Sequence, residues 1–259
     1  MSELSGRTAL ITGSNRGIGR AIANRLAEDG ARVVLCARDE AMLGEAVAEI
    51  RAAGGEAAGL ALDLRLPESA TRAVQAALDA FGSLDIVVNN AGATKRGDFL
   101  TLTEEDWMDG YALKMFGAVR VTRAAWPHLK AGKGAVVNIS GSGGRTPGAQ
   151  FTIGGSVNAA LLSLTKALAE LGLQDGVQVN CINPGPVRTA RFEKRLAMTA
   201  AEHGVDRETA LGIFVREEKI TQVGEPEDIA GLVAFLLSKH GRYVHGSLID
   251  ADGGSTKTV

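Results

Sequence analysis

Seven short apolar runs recur along the chain, separated by stretches of helical periodicity, and this alternation limits the fold more than any other feature. The runs are Ala9-Leu10-Ile11, Val33-Val34-Leu35, Leu60-Ala61-Leu62, Ile86-Val87-Val88, Ala135-Val136-Val137, Val177-Gln178-Val179 and Leu248-Ile249. Helical patterns occupy 18–27, 41–52, 69–81, 104–129, 157–171 and 226–237. Strands that are apolar on both faces belong to a parallel sheet covered by helices on both sides. The expectation is a doubly wound α/β fold, a single domain over 1–259, with a parallel sheet of about seven strands and helices on both faces. No low-complexity linker or internal repeat divides the 259 residues. The least regular stretch, 190–219, mixes charges with Phe192, Leu196, Met198, Ile213 and Phe214. It reads as a substrate flap, because ligands of such sheets sit beyond the carboxyl ends of the strands.

Charge and composition narrow the partners. The net charge is −2 and no run of five like charges occurs, so there is no electrostatic footprint for nucleic acid. No apolar run is long enough for a bilayer, and no signal-peptide pattern precedes the first strand. Cys36 and Cys181 lie in β-like runs and read as small buried hydrophobes. No His, Cys, Asp or Glu cluster has metal spacing. A cytoplasmic protein acting on a small molecule is expected, with no metal, nucleic-acid or membrane partner.

The first strand runs into Thr12-Gly13-Ser14-Asn15-Arg16-Gly17-Ile18-Gly19, and an amphipathic helix follows. Here glycines permit a tight turn, a close approach of backbone to a pyrophosphate, and tight packing of helix on strand. The N–H groups at the helix start then face the anion. A strand, a glycine loop and a helix in this order read as a Rossmann-type dinucleotide site. An NAD-selective site would place a carboxylate at the end of the second strand, but Ala37 stands there and Arg38 follows. Arg16 and Arg38 suit a 2′-phosphate, so NADP(H) is favoured over NAD(H). Asp39 reads as a helix N-cap.

Together with further motifs, this loop resembles the short-chain dehydrogenase/reductase family over essentially the whole length. The motifs are Asp63-Leu64 after the third strand, Asn89-Asn90-Ala91-Gly92 after the fourth, and Asn138-Ile139-Ser140 on the fifth. Pro184-Gly185-Pro186-Val187-Arg188-Thr189 follows the sixth, and Asp250-Ala251-Asp252-Gly253-Gly254 closes the pattern. The resemblance implies that Asp63 and Leu64 contact adenine and that the loop after the sixth strand holds the nicotinamide carboxamide. The cofactor-binding set it implies is Gly13, Ser14, Asn15, Arg16, Gly17, Ile18, Gly19, Arg38, Asp63, Leu64, Asn89, Ala91, Gly92, Ser140, Pro184, Gly185, Val187 and Thr189.

The family's catalysts are an Asn, a Ser, a Tyr and a Lys. The Tyr exchanges the proton with the substrate oxygen, and the Lys lowers the pKa of the Tyr and holds the ribose. By the family's spacing these four positions fall on Ala112, Gly141, Gly154 and Asn158. The earlier tyrosine position used by enoyl reductases falls on Phe151, and the chain's two tyrosines are Tyr111 and Tyr243. What remains nearby is Ser140, Ser142 and Asn158, which can orient an oxygen but lack an activating base in sequence. Of the four histidines only His203, in the flap, is placed to reach the cleft.

Three readings follow. One is a divergent NADP(H)-dependent oxidoreductase with a non-standard active site. Another is a catalytically silent NADP-binding sensor or partner protein. The third is a non-redox lyase or hydratase. Ala159, Ala160, Ser163 and Ala167 permit close helix contact, so a homodimer or homotetramer is expected.

Overall fold

The computed structural model describes residues 3–258; Met1, Ser2 and Val259 lie outside the described residues. The strands are β1 (Thr8–Thr12), β2 (Arg32–Ala37), β3 (Ala57–Ala61), β4 (Ile86–Asn89), β5 (Ala135–Ile139), β6 (Gln178–Pro184) and β7 (Leu248–Ala251). They form one parallel sheet of seven strands in the order β3-β2-β1-β4-β5-β6-β7. The helices are α1 (Gly17–Glu28), α2 (Glu40–Ala52), α3 (Pro67–Phe81), α4 (Glu104–Gly110), α5 (Gly117–Gly132), α6 (Thr152–Asp175), α7 (Ala190–His203), α8 (Arg207–Glu217) and α9 (Pro226–Leu237).

The apolar runs are continuous because alternate residues enter two different cores. Ile11, Val33, Leu35, Val88 and Ile182 face Ile22 and Leu26 of α1, Leu43 of α2 and Val233 of α9. Their neighbours Leu10, Val34, Val87, Val136 and Val179 face Val74 of α3, Val121 and Leu129 of α5 and Ala169 of α6. The strand order reverses between β1 and β4, and a crevice opens at such a switch point. No helix among the described residues is long and apolar enough to cross a membrane.

Two elements depart from expectation. The third strand was expected at Leu60-Ala61-Leu62, but β3 begins at Ala57. It is an edge strand of small residues, and a Cβ at Gly59 would lie 3.0 Å from Val47 Cγ2, so smallness lets α2 close over it. The helix expected over 104–129 is interrupted by a π-helical turn at Tyr111–Phe116 between α4 and α5. Such a turn holds an extra residue and changes which side chains share a face.

A buried polar chain ties the middle of the sheet to its helices. Asn89 Nδ2 donates to Thr122 Oγ1 and to Asn138 Oδ1, both at 2.9 Å. Asn138 Nδ2 donates to Thr165 Oγ1 at 2.9 Å, and Thr165 Oγ1 donates to Leu161 O at 2.8 Å. The chain links β4, β5, α5 and α6. Asn138→Ala leaves Asn89 and Thr165 without their partner and should cost about 1–3 kcal/mol. Thermal unfolding of the variant checks this, and an unchanged melting temperature would show the chain to be dispensable.

Candidate active site

The glycine loop is pressed against the loop after β4. Gly13 has φ +65°, and a Cβ there would lie 2.9 Å from Ala91 Cα. Thr12 Oγ1 accepts from Asn90 N and Ala91 N, both at 3.0 Å. Asn90 Nδ2 donates to Thr12 O at 2.9 Å and to Gly13 O at 3.0 Å. Neither Thr12 nor Asn90 was marked as a site residue by the sequence, yet they clamp the two loops. Arg16, the N-cap of α1, makes no side-chain capping bond, so the first turn's N–H groups remain available to an anion.

Several expected cofactor residues shape the cleft rather than offer it a side chain. Ser14 is fully buried; its hydroxyl donates to Ile11 O at 2.8 Å and accepts from Cys36 N at 3.1 Å. Asn89 is buried in the polar chain beneath the loop. Ser140 Oγ donates to Asn158 O at 3.0 Å. The loop from Pro184 to Thr189 folds back over the first turn of α1, where a Cβ at Gly17 would lie 3.3 Å from Thr189 Cγ2. Gly185 passes so near Asp252 that a Cβ would lie 2.7 Å from its Cα, and Val187 bridges to Gly224.

At the end of β2 the chemistry suits a phosphate. Ala37 presents no carboxylate, while Arg16 and Arg38 are both exposed. Among the described residues the Arg38 guanidinium pairs with Asp63 alone, at 3.9 Å, and Asp63 is shared with Arg65 at 3.3 Å. Leu64 is buried beside them. Asp39 caps α2 by accepting from Met42 N at 3.1 Å, as its sequence position implied. The tight loop, open helix N-terminus and exposed guanidiniums fit a phosphorylated dinucleotide.

A lysine lies between the end of β5 and α6. Lys114 Nζ donates to Ser140 O and to Asn158 Oδ1, both at 2.7 Å. Its stem lies under the loop after β4, where a Cβ at Gly92 would meet Lys114 Cδ at 2.9 Å. Both acceptors are uncharged. Burial pushes the ammonium pKa down to about 8, with a further push from Arg191 and an opposing pull from Cys181. Both cysteines are free and buried, and burial raises their thiols to about 12, which leaves them unreactive near neutral pH.

A family model described as enoyl-(acyl carrier protein) reductase matches residues 13–256. The short-chain reductase NovJ of Streptomyces niveus is 34% identical over 248 residues, covering 95% of this chain and 92% of NovJ. Human dehydrogenase/reductase SDR family member 4 is 34% identical over 254 residues, covering 97% of this chain and 88% of the human protein. The chain belongs to the short-chain dehydrogenase/reductase family. Among solved structures, L-sorbose reductase from Gluconobacter frateurii, complexed with NADPH and L-sorbose, superposes with a TM-score of 0.95 at 33% identity over 100% of both chains. Actinorhodin polyketide ketoreductase with NADPH gives 0.92 at 30% identity, over 98% of this chain and 100% of the other.

Two of the expected positions, Gly141 and Asn158, lie in contact. Gly141 faces Asn158, since a Cβ at 141 would lie 2.7 Å from Asn158 Nδ2. Gly154 faces the Phe151 ring, where a Cβ at 154 would lie 2.0 Å from Phe151 Cζ. Ala112 lies on the same π-helical turn as Lys114, whose Nζ reaches Ser140 and Asn158. Ser142 stands in a short turn beside Gly141. His203 does not serve the cleft; it lies 3.6 Å from Glu217, bridging α7 and α8. Tyr243 is 97% exposed.

The interlock of Gly154 with Phe151 has a measurable signature. Gly154→Ala overpacks the site and should cost about 1–3 kcal/mol. In a Phe151→Ala background the same change should cost nothing, because the ring it would strike is gone. Equal penalties in both backgrounds, measured by denaturant unfolding, would break the interlock.

Proposed function

We propose that this chain is an NADP(H)-dependent oxidoreductase acting on a small carbonyl or alcohol through a non-standard active site, with Lys114 exchanging the proton. The observation that carries this reading is the ammonium of Lys114, held between Ser140 O and Asn158 Oδ1 at the catalytic end of the cleft. The family resemblance implies an amide on the segment after α4 and an ammonium on α6. Here the ammonium comes from Lys114 and the amide from Asn158, an exchange between facing elements. The proton-donating tyrosine has no counterpart, since Gly154 stands in its position and Phe151 fills the space.

NADPH, when bound, supplies a hydride to the carbonyl carbon. Lys114 gives its proton to the carbonyl oxygen and is left a neutral amine, which solvent reprotonates. Ser140 fixes Asn158 through its main chain, and Asn158 fixes Lys114. The residues that would hold the cofactor are the glycine loop, Arg16, Arg38, Ala91, Gly92 and the segment from Pro184 to Thr189. The phosphorylated cofactor is favoured by Ala37, Arg16 and Arg38, and it accompanies both reductase structures named above. Helices α7 and α8 pack through Phe192, Leu196, Ala210 and Phe214, a small cluster separate from the two sheet cores. That separateness supports their role as the substrate flap. Exposed Phe116 on the π-helical turn and Leu173 on α6 support a homodimer or homotetramer.

The silent-sensor reading draws on one feature, the Phe151 ring that closes the space beside Gly154. Titrating the purified protein with NADPH and NADH should show tighter NADPH binding by about 10–100-fold, the worth of one or two charge-assisted hydrogen bonds to the 2′-phosphate. Equal affinities would remove the 2′-phosphate assignment, and tight NADPH binding with no turnover on any carbonyl would favour the sensor. For turnover, the proton-donating form of Lys114 exists below its pKa. Reduction should therefore fall as pH rises through about 8, while oxidation of the alcohol rises over the same range. Lys114→Met should lower kcat by about 10²–10⁴ and abolish that pH limb. A limb that survives the substitution belongs to another group.

A further inference from the structure

Three cations near the carboxyl ends of the strands make no ion pair among the described residues. Lys114 comes from the π-helical turn, Arg96 from the loop after β4 and Arg191 from the first turn of α7. Arg191 Nη2 donates only to Gly92 O, at 3.0 Å. Arg96 lies over the Phe151 ring at 4.0 Å from its centroid and makes no ion pair among the described residues. The neighbouring cations behave differently. Arg195 pairs with Glu218 at 2.6 Å, Arg188 with Glu225 at 2.7 Å, Arg207 with Glu193 at 2.8 Å and Arg145 with Asp250 at 3.3 Å. Among the described residues these four arginines have carboxylate partners, whereas Arg96 and Arg191 have none.

Their mutual repulsion is evident. Surrounding protein holds the Arg96 guanidinium below its ordinary pKa, Arg195 and Arg191 push the same way, and Glu218 opposes them. Arg191 is lowered by burial and by Arg16 of the glycine loop. Arg96 sits beside Phe151, whose ring packs on Gly154. Its loop is anchored there by Gly97 N donating to Gln150 O at 3.2 Å. A guanidinium stacked by its face on an aromatic ring leaves its N–H edges free, and those edges match an oxyanion in bidentate fashion. Like charges gathered without partners at a cleft are the electrostatic mark of an anionic ligand.

We propose that the substrate is a small carbonyl compound carrying a carboxylate or phosphate, with the oxyanion on Arg96 and the carbonyl oxygen directed to Lys114. This rests on the oxidoreductase reading for the role of Lys114, but the oxyanion site stands on its own geometry.

The test uses matched probes on the NADPH-saturated protein: levulinate against methyl levulinate, acetoacetate against methyl acetoacetate, and dihydroxyacetone phosphate against dihydroxyacetone. Calorimetry reads binding, and loss of NADPH absorbance reads turnover. In at least one pair the anionic member should bind about tenfold tighter or more, the worth of a charge-assisted pair of hydrogen bonds, and the advantage should shrink with added salt. The pair that responds separates a carboxylate from a phosphate. Arg96→Gln, whose folding thermal unfolding verifies, should cut that advantage to under about threefold. Equal binding of neutral and anionic members, no binding of any anionic probe, or a preference that survives Arg96→Gln would each overturn the site. Binding of the anion without NADPH oxidation keeps the oxyanion site and removes Lys114 as proton donor. Oxidation of NADPH with no preference for the anion does the reverse.

Discussion

The contact between the loops after β1 and β4 is the constraint on which the rest depends. A parallel sheet that reverses its strand order must leave a crevice at the reversal, and here two loops are drawn together across it by Thr12 and Asn90. Main-chain approach this close requires Gly13, whose Cβ would strike Ala91. Once those loops are fixed, the first turn of α1 points its free N–H groups along the crevice. The loop after β6 can then close over them, Thr189 against Gly17.

One corner of the cleft is organised by close packing at two glycines. Asn158 occupies the room left at Gly141, and the Phe151 ring occupies the room left at Gly154. Close packing makes such pairs interdependent, since a space of this size cannot stay empty without losing contacts on every side. The same packing holds Lys114 in a setting of uncharged acceptors, and that setting moves its pKa toward neutrality. Electrostatics and packing therefore have a common origin in the small residues of this corner.

The fold was legible because its signals are local. Apolar runs such as Val33-Val34-Leu35 are buried on both faces and stand out whatever surrounds them. Asp39 was readable as a cap because its partner, Met42 N, is three residues away. β3 was less readable: an edge strand of Ala57, Ala58 and Gly59 lacks the apolar weight of a central one, so the run was centred toward Leu62. Ser14 and Asn89 were expected to serve a ligand because their motifs do, but their side chains turn into the protein. Sequence motifs mark a loop, not the direction of each side chain on it.

The sequence by itself determined the α/β alternation, the glycine loop, the absence of a carboxylate at Ala37 and the glycines at 141 and 154. Each is a property of one residue or of a short spacing. Only the tertiary structure decided which side chains take the vacated places. Lys114 reaches Asn158 across 44 positions of chain, and it faces inward because a π-helical turn interrupts the helix expected there. Arg96 meets Phe151, and Arg191 meets Gly92, only after β4, β5 and β6 are set side by side. Charges that lie far apart along the chain share one cleft because a parallel sheet delivers all its strand ends to the same edge.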